Sequence, residues 1–166
     1  MSLIEYSQIL YDSEIGTSIR ESLFVFPLIE GLHLLSLALS VGLIVFTDLR
    51  LVGLFLRDVP ASQLLRQLRP WILGGFAVQF LTGILLFWSS ATKVVELPIF
   101  WLKLVVILLA GINVLWFELK WVRRVAEWDT EVAPPKAVRL AGWASFGFWV
   151  IVVISGRLIP YLQVPQ

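Results

Sequence analysis

Glu30-Gly-Leu-His33-Leu-Leu-Ser36-Leu-Ala-Leu-Ser40-Val-Gly42 lies inside an apolar run that begins near Leu23 and lasts to about Thr47. That run decides the class of the chain, because about 20 apolar residues cross the ~30 Å hydrocarbon layer of a bilayer as a helix. Within it stand the only histidine of the sequence and, one turn earlier, a glutamate. Ionisable groups are costly in lipid, so Glu30 and His33 together define a functional-site hypothesis by default.

Three more runs of the same kind follow, at Trp71 to Trp88, Ile99 to Trp121 and Ala137 to about Leu162. The whole chain is 58% hydrophobic with a mean hydropathy of +0.87, well above the roughly 45–50% apolar content of soluble domains. These runs predict an all-α fold, an integral membrane four-helix bundle forming a single membrane domain over residues 1–166. Residues 2–20 mix Leu3, Ile4, Ile9, Leu10 and Ile15 with Glu5, Asp12 and Glu14. They are too polar to span, and the natural reading is an N-terminal amphipathic interfacial helix lying on the membrane surface. The first helix is expected to run on through Asp48 and Arg50 to Arg57, where Asp58-Val-Pro60-Ala-Ser stops it. Ala61 to Leu68 then reads as a short basic linker helix, with further connections at Ser89 to Pro98 and Arg123 to Pro135.

Composition excludes several functions. A net charge of +1 with no basic tract argues against a nucleic-acid partner. The absence of cysteine removes disulfides, thiolate metal sites and thiol redox chemistry, and Met1 as sole methionine argues against a thioether copper path. The N-terminus lacks the basic and short apolar segments of a cleaved leader, so the first spanning helix is expected to direct insertion. The first and third connections hold Arg50, Arg57, Arg66, Arg69, Lys120, Arg123, Arg124, Lys136 and Arg139, whereas the opposite side has Arg20 and Lys93. The excess of basic residues on cytoplasmic loops then places both termini outside, on the periplasmic face of a bacterial inner membrane.

Counted at about 1.5 Å per residue from the helix ends, Glu30, Lys103 and Arg157 fall in the outer half of the bilayer, with His33 and Gln79 near its middle. At about 100° per residue, Glu30, His33, Ser36, Ser40 and Thr47 share one side of the first helix and Gly31, Ala38, Gly42 and Gly53 the other. Gly74, Gly75, Ala77 and Gly83 surround Gln79 on the second helix, and Gly142, Ser145, Ser155 and Gly156 lie on the fourth. Small residues serve close helix packing and equally leave room for a flat cofactor. His33 is open to three roles: a hydrogen bond to Gln79, Asn113 or a serine, haem ligation, or proton and ion handling. Glu30, Lys103 and Arg157 form either a self-neutralising ion-pair network or a site for anionic groups such as haem propionates, unless the two bases snorkel to the interface. Trp88, Trp101, Trp121 and Trp128 read as interface belts, and Asp48 and Arg50 as anchors of the inner end of the first helix.

His33 with Gly42 nine residues on, Asp48-Leu-Arg50-Leu beyond, and Ile99-Phe-Trp-Leu-Lys103-Leu-Val-Val-Ile-Leu-Leu opening the third helix form a pattern. Over residues 23 to 160 it resembles an uncharacterised bacterial four-helix membrane family related to the HemJ-type protoporphyrinogen oxidase and the CopD-like group. The resemblance implies haem b as cofactor, with His33 and Lys103 as the functional pair. Asn113 stands where those oxidases tend to carry another histidine, so bis-histidine ligation within one chain is impossible. A haem here needs an open position, a non-histidine ligand or a second subunit. The leading expectation is therefore haem b on His33 in a redox role, with Lys103 and Arg157 near the propionates and Glu30 and Gln79 in the same layer. The expected partners are the lipid bilayer, a second copy of the chain and a membrane redox protein. The alternatives are a non-catalytic membrane subunit or assembly protein with a structural polar layer, and a small proton or ion transporter using Glu30 and His33.

Overall fold

The computed structural model describes residues 2–129 and 134–163. Its elements are α1 (Leu3–Asp12), α2 (Glu14–Glu21), α3 (Val25–Val52), α4 (Ala61–Val95), α5 (Pro98–Lys120), a 3-10 helix (Val122–Glu127) and α6 (Lys136–Leu162). Helices α3 to α6 contain 28, 35, 23 and 27 residues, and each is long and apolar enough to cross a membrane. The chain is thus an all-α four-helix membrane bundle. Its outer surface is studded with exposed Leu, Ile, Val and Phe side chains such as Leu28, Leu35, Leu81 and Leu108, the pattern of a protein solvated by lipid.

The N-terminal segment differs from the single interfacial helix expected over residues 2–20. Ser13 breaks it: its backbone is extended and its Oγ accepts the N–H of Gly16, capping a second helix. Both short helices pack against α4 instead of standing free. The Trp88 indole N–H donates to Ser13 Oγ at 2.8 Å, and Arg20 donates to the carbonyls of Tyr11 and Ser89 while stacking over the Tyr11 ring. Ser90 beside it has non-helical dihedrals, a kink that presents the Ser89 carbonyl to Arg20.

Helix boundaries also move. Helix α3 stops at Val52 and does not reach Arg57, because Gly53 takes the left-handed conformation at φ 85° and its N–H returns to the Arg50 and Leu49 carbonyls. The expected linker helix and second span are one helix from Ala61 to Val95, running through Pro70. Proline here forfeits one hydrogen bond without ending the helix. The second connection shrinks accordingly to Glu96 and Leu97. In the third connection, residues 130–133 lie outside the described residues.

Helix α3 packs along α4 and α6, and α5 along α6, whereas α4 and α5 scarcely touch. A cap of Leu51, Ala61, Phe117, Trp128, Val138 and Ala141 closes the end bearing the α3–α4 connection. Trp128, expected at an interface, is only 2% exposed and belongs to this core. Arg50, fully buried, ties the same end together: Nε donates to Val59 O at 2.7 Å and Nη2 to Asp129 O at 3.2 Å. The anchoring role read for Arg50 is realised through backbone carbonyls.

Candidate functional site

The polar face of α3 meets α4. His33 Nδ1 lies 2.9 Å from Thr82 Oγ1, and His33 Nε2 lies 2.9 Å from the Gln79 side-chain nitrogen. Thr82 Oγ1 donates to Val78 O at 2.7 Å, so it must accept from an Nδ1–H, and Nε2 then accepts from the Gln79 amide. Ser36 Oγ completes the chain by donating to Gln79 Oε1 at 2.7 Å. Glycines allow this approach: a Cβ on Gly83 would meet His33 Cε1 at 3.2 Å, and one on Gly75 would overlap Ser40 Oγ. Of the partners foreseen for His33, Gln79 meets the ring; the other ring nitrogen goes to Thr82, which the sequence reading does not single out, and Ser36 reaches Gln79 rather than the ring. Asn113 is not in this network; its amide donates to Ala141 O at 3.0 Å and joins α5 to α6.

Of the charges expected in one layer with His33, Lys103 is near the ring whereas Glu30 and Arg157 are not gathered there. Lys103 is the charged neighbour of the His33 ring, and its Nζ lies against Gly156 of α6. Glu30 is exposed on the outer surface of α3. Arg157 is exposed as well, donating to the Tyr161 hydroxyl at 2.8 Å with its guanidinium over that ring. Among the described residues no ion pair joins Glu30 to Lys103 or Arg157. Nor, among them, does any group of three or more His, Asp or Glu lie close enough to hold a metal ion. Both nitrogens of the His33 ring are engaged by protein side chains, so an iron at Nε2 would have to displace the Gln79 amide. As arranged, these residues do not fit an axial haem ligand.

The opposite half of the bundle holds a chamber of about 520 Å³, within the size range of small-molecule sites. It exists because α4 and α5 stand apart. Its rim is formed by exposed Leu73 and Phe80 of α4 and Val114 and Leu115 of α5, so it opens sideways towards lipid. Phe76, Phe117 and Trp149 line the interior. At its end Arg69 of α4 and Glu118 of α5 form a two-pronged ion pair across the gap. Deep inside is Asp48 of α3, 4% exposed, with Ser145 of α6 as its hydrogen-bonding neighbour and Oδ2 without any partner. The sequence reading placed Asp48 at the helix end as an anchor. Helix angle gives no signal for it: at about 100° per residue Asp48 shares the sector of Glu30, which is exposed, so it is the packing of the other helices that encloses Asp48.

Fold and site together define a class: a multi-pass membrane bundle with a hydrogen-bonded polar layer in one half and a laterally open, acid-lined chamber in the other. Residues 5–162 match the model of a family of unknown function (DUF6644), and the chain belongs to that family. No curated protein and no solved structure matches it.

Proposed function

We propose that this protein is a membrane-embedded binding protein that holds a lipophilic small molecule in the chamber between α4 and α5. The observation that carries this reading is the chamber itself: apolar walls, a lateral opening and a few converging polar groups, the combination expected of a ligand site. The His33–Gln79–Thr82 layer is then structural and holds α3 on α4 while the chamber stays open beside them. To test the reading, the protein is purified in its native lipid, washed, and extracted with organic solvent for mass spectrometry. A lipophile in near-stoichiometric amount, lost when the chamber is filled by Gly111→Trp, supports it. An extract indistinguishable between the two proteins rejects it.

Haem b on His33, the reading that the resemblance implies, is supported by the nearness of Lys103 to the ring but requires Gln79 to release Nε2. A reduced-minus-oxidised visible spectrum of protein made with ample haem supply decides the matter. A Soret and α band abolished by His33→Ala would overturn the structural assignment of His33, and a featureless spectrum would reject haem.

A further inference from the structure

The chemistry of the chamber narrows its occupant, if the chamber is the binding site proposed above. A carboxyl group buried in an apolar wall is normally paired or hydrogen-bonded on both oxygens. Asp48 is 96% covered by the protein, since it is 4% exposed, and only Ser145 serves its carboxyl group while Oδ2 has no partner. Arg69, the one cationic side chain lining the chamber among the described residues, lies at its end and gives Nη2 to both oxygens of Glu118. Asn113 is committed to the Ala141 carbonyl. At the depth of Asp48 the chamber therefore offers an acceptor still to be served, and the aromatic side chains of Phe76, Phe80 and Trp149 that line it can attract positive charge.

We propose that the chamber takes a lipophilic amine, entering sideways from the bilayer between α4 and α5, with its ammonium group donating to Asp48 Oδ2 and its apolar body against Phe76, Phe80 and Trp149. The rim of Leu73, Phe80, Val114 and Leu115 admits the hydrocarbon portion. The Arg69–Glu118 pair closes the end of the slot and repels a competing cation there less than an unpaired Arg69 would. An anionic amphiphile is disfavoured, because its head would face Asp48.

The experiment is a fluorescence titration of the full-length protein in nanodiscs with a dansylated alkylamine and its uncharged N-acetyl derivative. The amine is expected to bind roughly ten-fold or more tightly than the amide, the scale of one charge-assisted hydrogen bond, and Asp48→Asn is expected to abolish the difference. Gly111→Trp, at a lining position where an added Cβ meets nothing within 4 Å, is expected to remove binding of both probes. Equal affinity of amine and amide in the unaltered protein, with both lost in Gly111→Trp, would overturn the amine assignment and leave the chamber as a site. Binding of both probes unaffected by Gly111→Trp would overturn the chamber reading itself. The comparison of the two probes on the unaltered protein decides the amine question even where Asp48→Asn fails to fold.

Discussion

Replacing His33 by leucine separates a structural histidine from a ligand. The substitution removes two contacts between α3 and α4, to Thr82 and to Gln79. Side-chain hydrogen bonds between membrane helices contribute about 0.6 kcal/mol on average and about 1.7 kcal/mol at most, so the pair accounts for roughly 1–3 kcal/mol. Thr82 and Ser36 keep backbone partners at Val78 O and His33 O, but the Gln79 amide loses its acceptor, and an orphaned buried donor costs about 1–3 kcal/mol. A destabilisation of about 2–6 kcal/mol follows from these two contributions. Gln79→Leu should do similar damage by leaving His33 Nε2 without a donor. The double variant should then be less destabilised than the sum, by about 1–2 kcal/mol, because no orphan remains. Steric trapping in bicelles, with biotin labels on α3 and α4, measures all four stabilities. Strict additivity, or a His33→Leu protein as stable as the parent, would refute the structural account of this layer.

Other perturbations probe the rest of the frame. Gly75→Val forces a side chain onto Ser40 where the helices are closest and should cost about 1–3 kcal/mol as overpacking, measured in the same trapping assay. Asp129→Ala removes the carboxylate that accepts both the N–H and the hydroxyl of Ser62 at 2.7 Å; the loss of such a helix cap costs about 0.5–2 kcal/mol, seen as a lower melting temperature in detergent. Gly53→Ala places a Cβ at φ 85° and should cost about 1 kcal/mol or more, again lowering the melting temperature, whereas Gly42→Ala, where an added Cβ meets nothing within 4 Å, should leave it unchanged.

The spans were legible because lipid removes the usual ambiguity: only a helix satisfies its own backbone there, so hydropathy alone locates α3 to α6. Boundaries were less legible where one residue overrides the composition. Gly53 ends α3 although Leu54-Phe55-Leu56-Arg57, which tolerate helix, follow it, and Pro70 does not end α4 although proline usually does. The contact between His33 and Gln79 was within reach, since both sit near the middle of their spans and face small residues. The charges were not, because Glu30 and Arg157 lie one or two turns from a helix end, and a long side chain near an end has solvent as an alternative to any partner. Depth counting could equate their levels but could not say which way each side points.

The chamber was illegible for a different reason: it arises from the order of pairing among helices, which no single helix encodes. The network His33–Gln79–Thr82 and the small residues Gly75 and Gly83 draw α4 onto α3. Asn113 and the bulk of α5 are committed to α6. Both pairs also share the α3–α6 contact, where a Cβ on Gly142 would press on Val52 and the Asp48 carbonyl. With these three seams closed, α4 and α5 are the pair left apart, bridged at one end by Arg69 and Glu118. The same seams fix where Asp48 ends up: α3 is held on both flanks, so the third side of its C-terminal end faces the gap. The histidine layer and the acid-lined chamber are thus linked, one holding shut the seam that leaves the other open, and loosening the first by His33→Leu should also weaken binding of the dansylated amine in the second. Unchanged binding in a measurably loosened bundle would break that link.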